Sequence, residues 1–188
     1  MGFNSPATGT VHIDVFFSGA EADPPTDDVI IPVDVDLAGT ASGTWVKGGP
    51  GAFNVTLDID GGSFELDTQD PNVGVIEILY SVNAPAVGTG AFDPSTGVGG
   101  FSATLTLTID EIVGLGPIPP ACDTGLDMAL SGQIDPATGE LSVSQDSFSV
   151  ISPGETDCGG LGALFGQLLG GPDNSASFSF SVEPQAAA

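Results

Sequence analysis

The chain reads as all-β: an antiparallel β-sandwich or flattened barrel built of hairpins, with one short α-helix near 161–169. Three observations predict this. Apolar and polar residues alternate at period two through most of the chain, the pattern of half-buried strands. Gly and Pro are frequent, 28 and 15 of 188 residues, so the apolar runs are short and closely punctuated. The string Asp-Pro-x-Thr-Gly occurs twice, each time between two such runs. Apolar residues make up 40% of the chain, enough for a core and too many for a disordered tract. Residues 1–188 are read as a single β domain.

Taken in order, Val11, Ile13, Val15 and Phe17 share one strand face, and Val29, Ile31, Val33, Val35 and Leu37 share the next. The alternation is clearest at Phe53, Val55, Leu57 and Ile59, and it returns at Phe101, Ala103, Leu105, Leu107 and Ile109. Late in the chain Leu126, Met128 and Leu130, then Leu141 and Val143, then Phe178, Phe180 and Val182 repeat it. The intervening positions are Asp, Ser, Thr and Asn, and a sheet with one wet face is antiparallel in most cases. In Asp93-Pro94-Ser95-Thr96-Gly97 and Asp135-Pro136-Ala137-Thr138-Gly139, Pro presets φ, Asp accepts from downstream amides and Gly takes a positive φ. Gly43 to Phe53 is a looser third hairpin of this kind. One segment follows a different period: Leu161, Leu164, Phe165, Leu168 and Leu169 form the apolar stripe of a short helix, stopped by Gly170-Gly171-Pro172. Too short to stand alone, it is expected to close one open end of the core or to act as a lid over an apolar cavity.

Against 25 Asp and Glu stand one Lys and one His, a formal charge of −24. Nucleic acid is excluded as a direct partner on this reading, because only Lys47 is available to displace counterions from phosphates. The basic clusters that hold proteins on anionic membranes are missing too, and no apolar stretch is long enough for a transmembrane helix. A transmembrane barrel needs aromatic girdles, for which only Trp45 and Tyr80 are at hand. Residues 1–5 have neither the basic start nor the apolar run of a signal peptide. Met1-Gly2 and Ala186 to Ala188 read as cloning scars, so the chain is expected to be a piece of a longer exported protein. Cys122 and Cys158 stand in Gly/Pro-rich connections outside the apolar runs, which favours a disulfide and an oxidising, extracellular or cell-surface location.

Catalytic chemistry has little material. His12 is the lone imidazole, with Asp14 on the same strand face, and no Gly-x-Ser-x-Gly elbow accompanies it. One Trp and one Tyr are meagre platforms for a sugar site, and two Cys without CxxC spacing do not make a zinc site. The chain is read as not an enzyme. Calcium is the chemical candidate, because Ca²⁺ takes six to eight oxygen ligands and Asp is plentiful. Asp34 and Asp36 share one strand face, Asp58 and Asp60 another, and Asp23, Asp27 and Asp28 fall in one loop. If 29–37 paired with 53–60, these carboxylates would oppose one another and a cation would relieve the repulsion. The competing explanation is a solvated acidic surface. Thr104, Thr106 and Thr108, and Ser177, Ser179 and Ser181, form outward hydroxyl rows suited to a carbohydrate lattice or ice, or simply to β propensity.

Cys122-Asp123-Thr124-Gly125, Leu130-Ser131-Gly132-Gln133-Ile134-Asp135-Pro136-Ala137-Thr138-Gly139-Glu140-Leu141, Asp157-Cys158-Gly159-Gly160-Leu161 and Gly171-Pro172-Asp173-Asn174 together resemble exported β-domains of high-GC, actinobacterial-type bacteria. The resemblance spans residues 122–182 and implies a disulfide and a secreted or surface location, with no catalytic residues. The expected function is therefore a non-enzymatic secreted or cell-surface structural or adhesive module of a larger protein, stabilised by Ca²⁺ at its Asp-rich loops. Self-association through β edges and protein or surface partners are compatible with it. The alternative is a carrier of an apolar ligand such as a lipid, held in a β cavity under a helix presenting Leu161, Leu164, Phe165 and Leu168.

Overall fold

Among the described residues, side-chain alternation and hairpin turns generate twelve strands, β1 (Gly2–Phe17), β2 (Val29–Trp45), β3 (Gly51–Ile59), β4 (Gly62–Asp67), β5 (Val75–Ser81), β6 (Ala86–Asp93), β7 (Val98–Ile112), β8 (Gly116–Pro117), β9 (Asp123–Asp135), β10 (Glu140–Gln145), β11 (Ser149–Ile151) and β12 (Ser175–Ser181). A 3-10 turn at Cys158–Gly160 leads into a seven-residue helix, α1 (Gly162–Leu168). The structure, a computed structural model, describes residues 1–17, 28–67, 74–114, 116–118, 122–169 and 173–183.

All the described strands belong to one large antiparallel sheet, so the all-β, antiparallel expectation holds. Its pairings run β1–β2–β3–β6–β7–β9–β10–β12, and β12 pairs with β1 again. Eight strands thus have a partner on each side, and they follow chain order around the circuit. The remaining strands are excursions: β4 pairs with β5 and β5 with β7, β8 lies on β7, and β11 lies on β9.

Ring contacts show how strongly the sheet curls. Phe101 on β7 and Phe180 on β12 are three ladder steps apart, about 14 Å on a flat sheet. Their ring centroids are 6.2 Å apart. Phe3, Phe53, Phe101 and Phe180, from four different strands, close a quartet with the other centroid distances at 5.8, 6.0 and 5.9 Å. Phe92 and Trp45 extend this stack toward the hairpin end, and the alternating aliphatics Val35, Leu57, Leu105, Leu126 and Leu130 fill the rest. Curling requires strands to approach one another closely at bends. At inward-facing Gly132 a Cβ would run into the Ser142 carbonyl oxygen of β10, so only glycine fits there.

The two Asp-Pro-x-Thr-Gly turns form one structure twice. Ser95 N and Ala137 N donate to the Oδ1 of Asp93 and Asp135 at 2.9 and 2.8 Å, and Gly97 N and Gly139 N donate to the same residues' carbonyls at 2.8 Å each. Gly97 and Gly139 sit at φ 72° and 71°, as the string requires. The Ser95 hydroxyl, followed by its amide, holds the Asp93 carboxyl below its ordinary value. The termini of the circuit meet at this same end: Trp45 accepts from the Met1 amino group at 2.6 Å and donates its Nε1–H to the Val182 carbonyl at 3.1 Å.

The opposite end carries the excursions and the Cys122–Cys158 disulfide, whose Cα atoms are 4.4 Å apart. Both half-cystines are fully buried within the single apolar cluster. Two residues along, Thr124 faces inward with its Oγ1 buried and without a hydrogen-bond partner among the described residues. A buried orphan hydroxyl costs about 1–3 kcal/mol. Replacing Thr124 with Val, which keeps the shape and removes the hydroxyl, is expected to raise unfolding free energy by about 1 kcal/mol in chemical denaturation; a loss of stability would show that the hydroxyl has a partner.

Candidate functional site

The outer face of β2, β1, β12 and β10 is polar, and the strand registers make it a grid. One row crosses the sheet as Ser144, Ser177, Thr10 and Asp36; the next is Ser142, Ser179, Thr8 and Ala38; a third contains Ser175, His12 and Asp34. Because the outward side chains of β12 are all serines, the surface is recessed there. A groove of about 690 Å³ is lined by Thr8, Thr10, Asp36, Ser142, Ser177 and Ser179. A second recess of about 500 Å³, with His12, Asp34, Gln145 and Asp146, shares Thr10, Ser144 and Ser177 with it.

Hydroxyls take the place of basic residues on this exterior. Thr10 Oγ1 donates to Asp36 at 3.1 Å, Thr104 Oγ1 to Asp127 at 3.3 Å, Thr108 Oγ1 to Asp123 at 2.6 Å and Ser81 Oγ to Asp110 at 3.1 Å, each across neighbouring strands. Such charge-assisted bonds partner a carboxylate without a cation. The outward Thr104, Thr106 and Thr108 row is therefore in part a set of carboxylate partners.

His12 is the exception, the one imidazole set among carboxylates. Its Nδ1 lies 2.7 Å from Asp34 Oδ1 across the β1–β2 ladder, and its Nε2 lies 3.4 Å from Asp14 Oδ1. The bond to Asp34 is the largest influence raising its pKa above 6.5; partial burial opposes the rise, while the charges of Asp34 and Asp14 add to it. Both ring nitrogens face acids, which suits an imidazolium rather than a base for a serine hydroxyl. Asp14 is only 6% exposed although it occupies an outward position. At its level β12 has ended, and the Asn174 side chain continues the ladder by accepting from the Asp14 amide at 2.9 Å.

Among the described residues, the aspartates expected to bind Ca²⁺ lie in separate strand pairings. The β2–β3 register runs from Trp45 opposite Phe53 to Gly39 opposite Ile59, so Asp58 faces Thr40. Asp34 and Asp36 belong to the other half of β2 and face His12 and Thr10 on β1. The expected opposition of 29–37 with 53–60 is therefore corrected: the turn at 46–50 fixes a pairing of 39–45 with β3. Asp60 follows β3 and its amide bonds the Ala38 carbonyl. Asp28 precedes β2, whereas Asp23 and Asp27 lie outside the described residues. Among the described residues no three His, Cys, Asp or Glu are grouped to hold a metal ion.

Two residues of the expected apolar stripe, Leu161 and Leu169, flank α1. Leu161 precedes α1 and is 45% exposed, while Phe165 and Leu169 are buried in the common core. The side chains of Leu164 and Leu168 lie outside the described residues. No helix among the described residues is long and apolar enough to cross a membrane. No protein-family model, curated protein or solved structure matches the chain.

A pH series tests the His12 contacts. A raised folded-state pKa means that the contribution is fully present below the unfolded value and is lost as pH rises through the folded one. Wild type is thus expected to melt above His12→Gln at pH below 6.5, with the gap shrinking as pH climbs past the raised value. A gap independent of pH would mean that the imidazole acts by packing alone.

Proposed function

We propose that the chain is a non-catalytic structural or adhesive module, secreted or displayed at the cell surface, built as an eight-stranded antiparallel barrel with a solid interior. The observation that carries this reading is the phenylalanine quartet, in which rings from β1, β3, β7 and β12 touch across the middle of the circuit. Side chains occupying that space leave the work to the outside. The pairing circuit supports the barrel, because closure removes the edges through which sheets add to one another. The buried disulfide supports an oxidising location, as does the resemblance of residues 122–182 to exported β-domains.

In this function the grid on β2, β1, β12 and β10 is the contact face, offering hydroxyls and carboxylates to a hydrated partner surface. The high negative charge keeps copies of the module apart at low salt and lets them approach once ions screen it. The rigid ladder holds the grid at fixed spacings, about 4.8 Å between strands and about 6.8 Å along them.

Native mass spectrometry separates this reading from a lipid carrier. Purified protein is expected to fly as the bare chain mass, and a co-purified apolar molecule in stoichiometric amount would contradict the solid interior. The charge makes a second prediction. NaCl and CaCl₂ at equal ionic strength are expected to raise the melting midpoint alike, by general screening; a gain at micromolar to millimolar calcium that sodium does not reproduce would reveal a specific Ca²⁺ site.

A further inference from the structure

We infer that Asn54 is a modification site, carrying an N-linked oligosaccharide that covers the uncharged outer face of β2, β3 and β6. This rests on the exported location proposed above, because such sugars are attached to chains crossing a membrane. Asn54-Val55-Thr56 has the Asn-x-Ser/Thr spacing of an acceptor, with a residue other than Pro between, and no other asparagine of the chain has Ser or Thr two positions on. The fold gives a sugar room there. Phe53, Val55 and Leu57 go to the core, so Asn54 and Thr56 share the outward face of β3. Asn54 is exposed, and its Nδ2–H donates to Thr44 Oγ1 over a long 3.4 Å. A glycosylated amide keeps one N–H, so even this bond survives the modification.

The surroundings of Asn54 are unlike the acidic exterior elsewhere. Across the ladders Asn54 lies between Thr44 and Thr89, Thr56 lies between Ser42 and Val87, and Ala52 lies beside Ala91. No acid stands among these positions, although the chain has 25. Val87 is 71% exposed, the most exposed of the large apolar side chains among the described residues. It stands diagonally across the β3–β6 ladder from Asn54, about 7–8 Å away, within reach of the first sugar ring. The apolar C–H face of that ring would cover Val87, and the hydroxyls beyond it would restore a hydrated surface where carboxylates are missing. The strand position is no obstacle, because transfer takes place on the extended chain before β3 pairs. The donor is a lipid-linked oligosaccharide. Asn54 Nδ2 attacks the anomeric carbon and gives one of its two protons to a base of the transferase. The new C–N bond forms as the anomeric C–O bond to phosphate breaks, and the lipid phosphate leaves with that electron pair. Thr56 serves recognition of the acceptor by the transferase.

Intact mass and peptide fragmentation test this on protein recovered from the medium, the surface and the interior of the cells that make it. The exported chain is expected to be heavier than its sequence by whole sugar residues, with fragmentation placing them on Asn54. Asn54→Gln and Thr56→Ala are expected to lose all of the added mass, and Thr56→Ser to keep it. An exported chain with a bare Asn54 would overturn the glycan and leave the location standing. A chain found only inside the cell, with Asn54 bare, would overturn both. Added mass that persists in Asn54→Gln or in Thr56→Ala would also overturn the proposal, by placing the sugar on another residue or under another signal.

Discussion

Backbone amides and carbonyls buried in a sheet need partners on both sides, and eight of these strands find them by passing the ladder around a circuit. The other properties follow from that condition. Every inward position is sealed from water on one side of the ladder, so residues as ordinary as Phe3, Phe53, Phe101 and Phe180 become a continuous packed column. Most outward positions are wet, so acids accumulate there with little burial, Asp14 beneath Asn174 being an exception. Segments that have no place in the circuit, β4 with β5, β8, β11 and α1, are held at the end away from the Asp-Pro-x-Thr-Gly turns.

Electrostatics works within this frame. A chain with 25 acids and one lysine cannot cover its surface with ion pairs. It uses threonine and serine hydroxyls instead, placed opposite aspartates by strand register, as in Thr10 with Asp36 and Thr108 with Asp123. The hydroxyl donors carry no charge, so they satisfy individual carboxylates without neutralising the surface. His12, between Asp34 and Asp14, is the local exception and brings pH sensitivity to one border of the hydroxyl grid.

Local features were legible in the sequence because they have local causes. Alternation at Phe53, Val55, Leu57 and Ile59 declares a strand whatever it pairs with, and the Asp-Pro-x-Thr-Gly string encodes its own turn. The disulfide was legible from where its two cysteines stand. Pairing between distant segments was not. That β12 returns to β1, or that β7 meets β9 across the intervening connection, depends on curvature accumulated over the whole sheet, to which glycines such as Gly132 contribute without announcing a direction. The same gap misplaced the carboxylates: Asp34 and Asp58 looked like neighbours until the turn at 46–50 assigned them to different partners. Asp14 read as exposed by alternation and is covered, because Asn174 occupies the place where β12 has ended. Leu161 fitted the helical stripe by spacing, yet α1 begins one residue later.

Closure of the strand circuit is decided at two seams, β12 with β1 and β7 with β9. Interstrand nuclear Overhauser contacts in the folded protein read both directly. Closure predicts cross-strand contacts along Ala7 with Phe180, Gly9 with Phe178 and Val11 with Ala176 at the first seam, together with Phe101 with Leu130 and Leu105 with Leu126 at the second. Contacts at one seam and none at the other would describe an open sheet and would contradict the closed circuit with its solid interior.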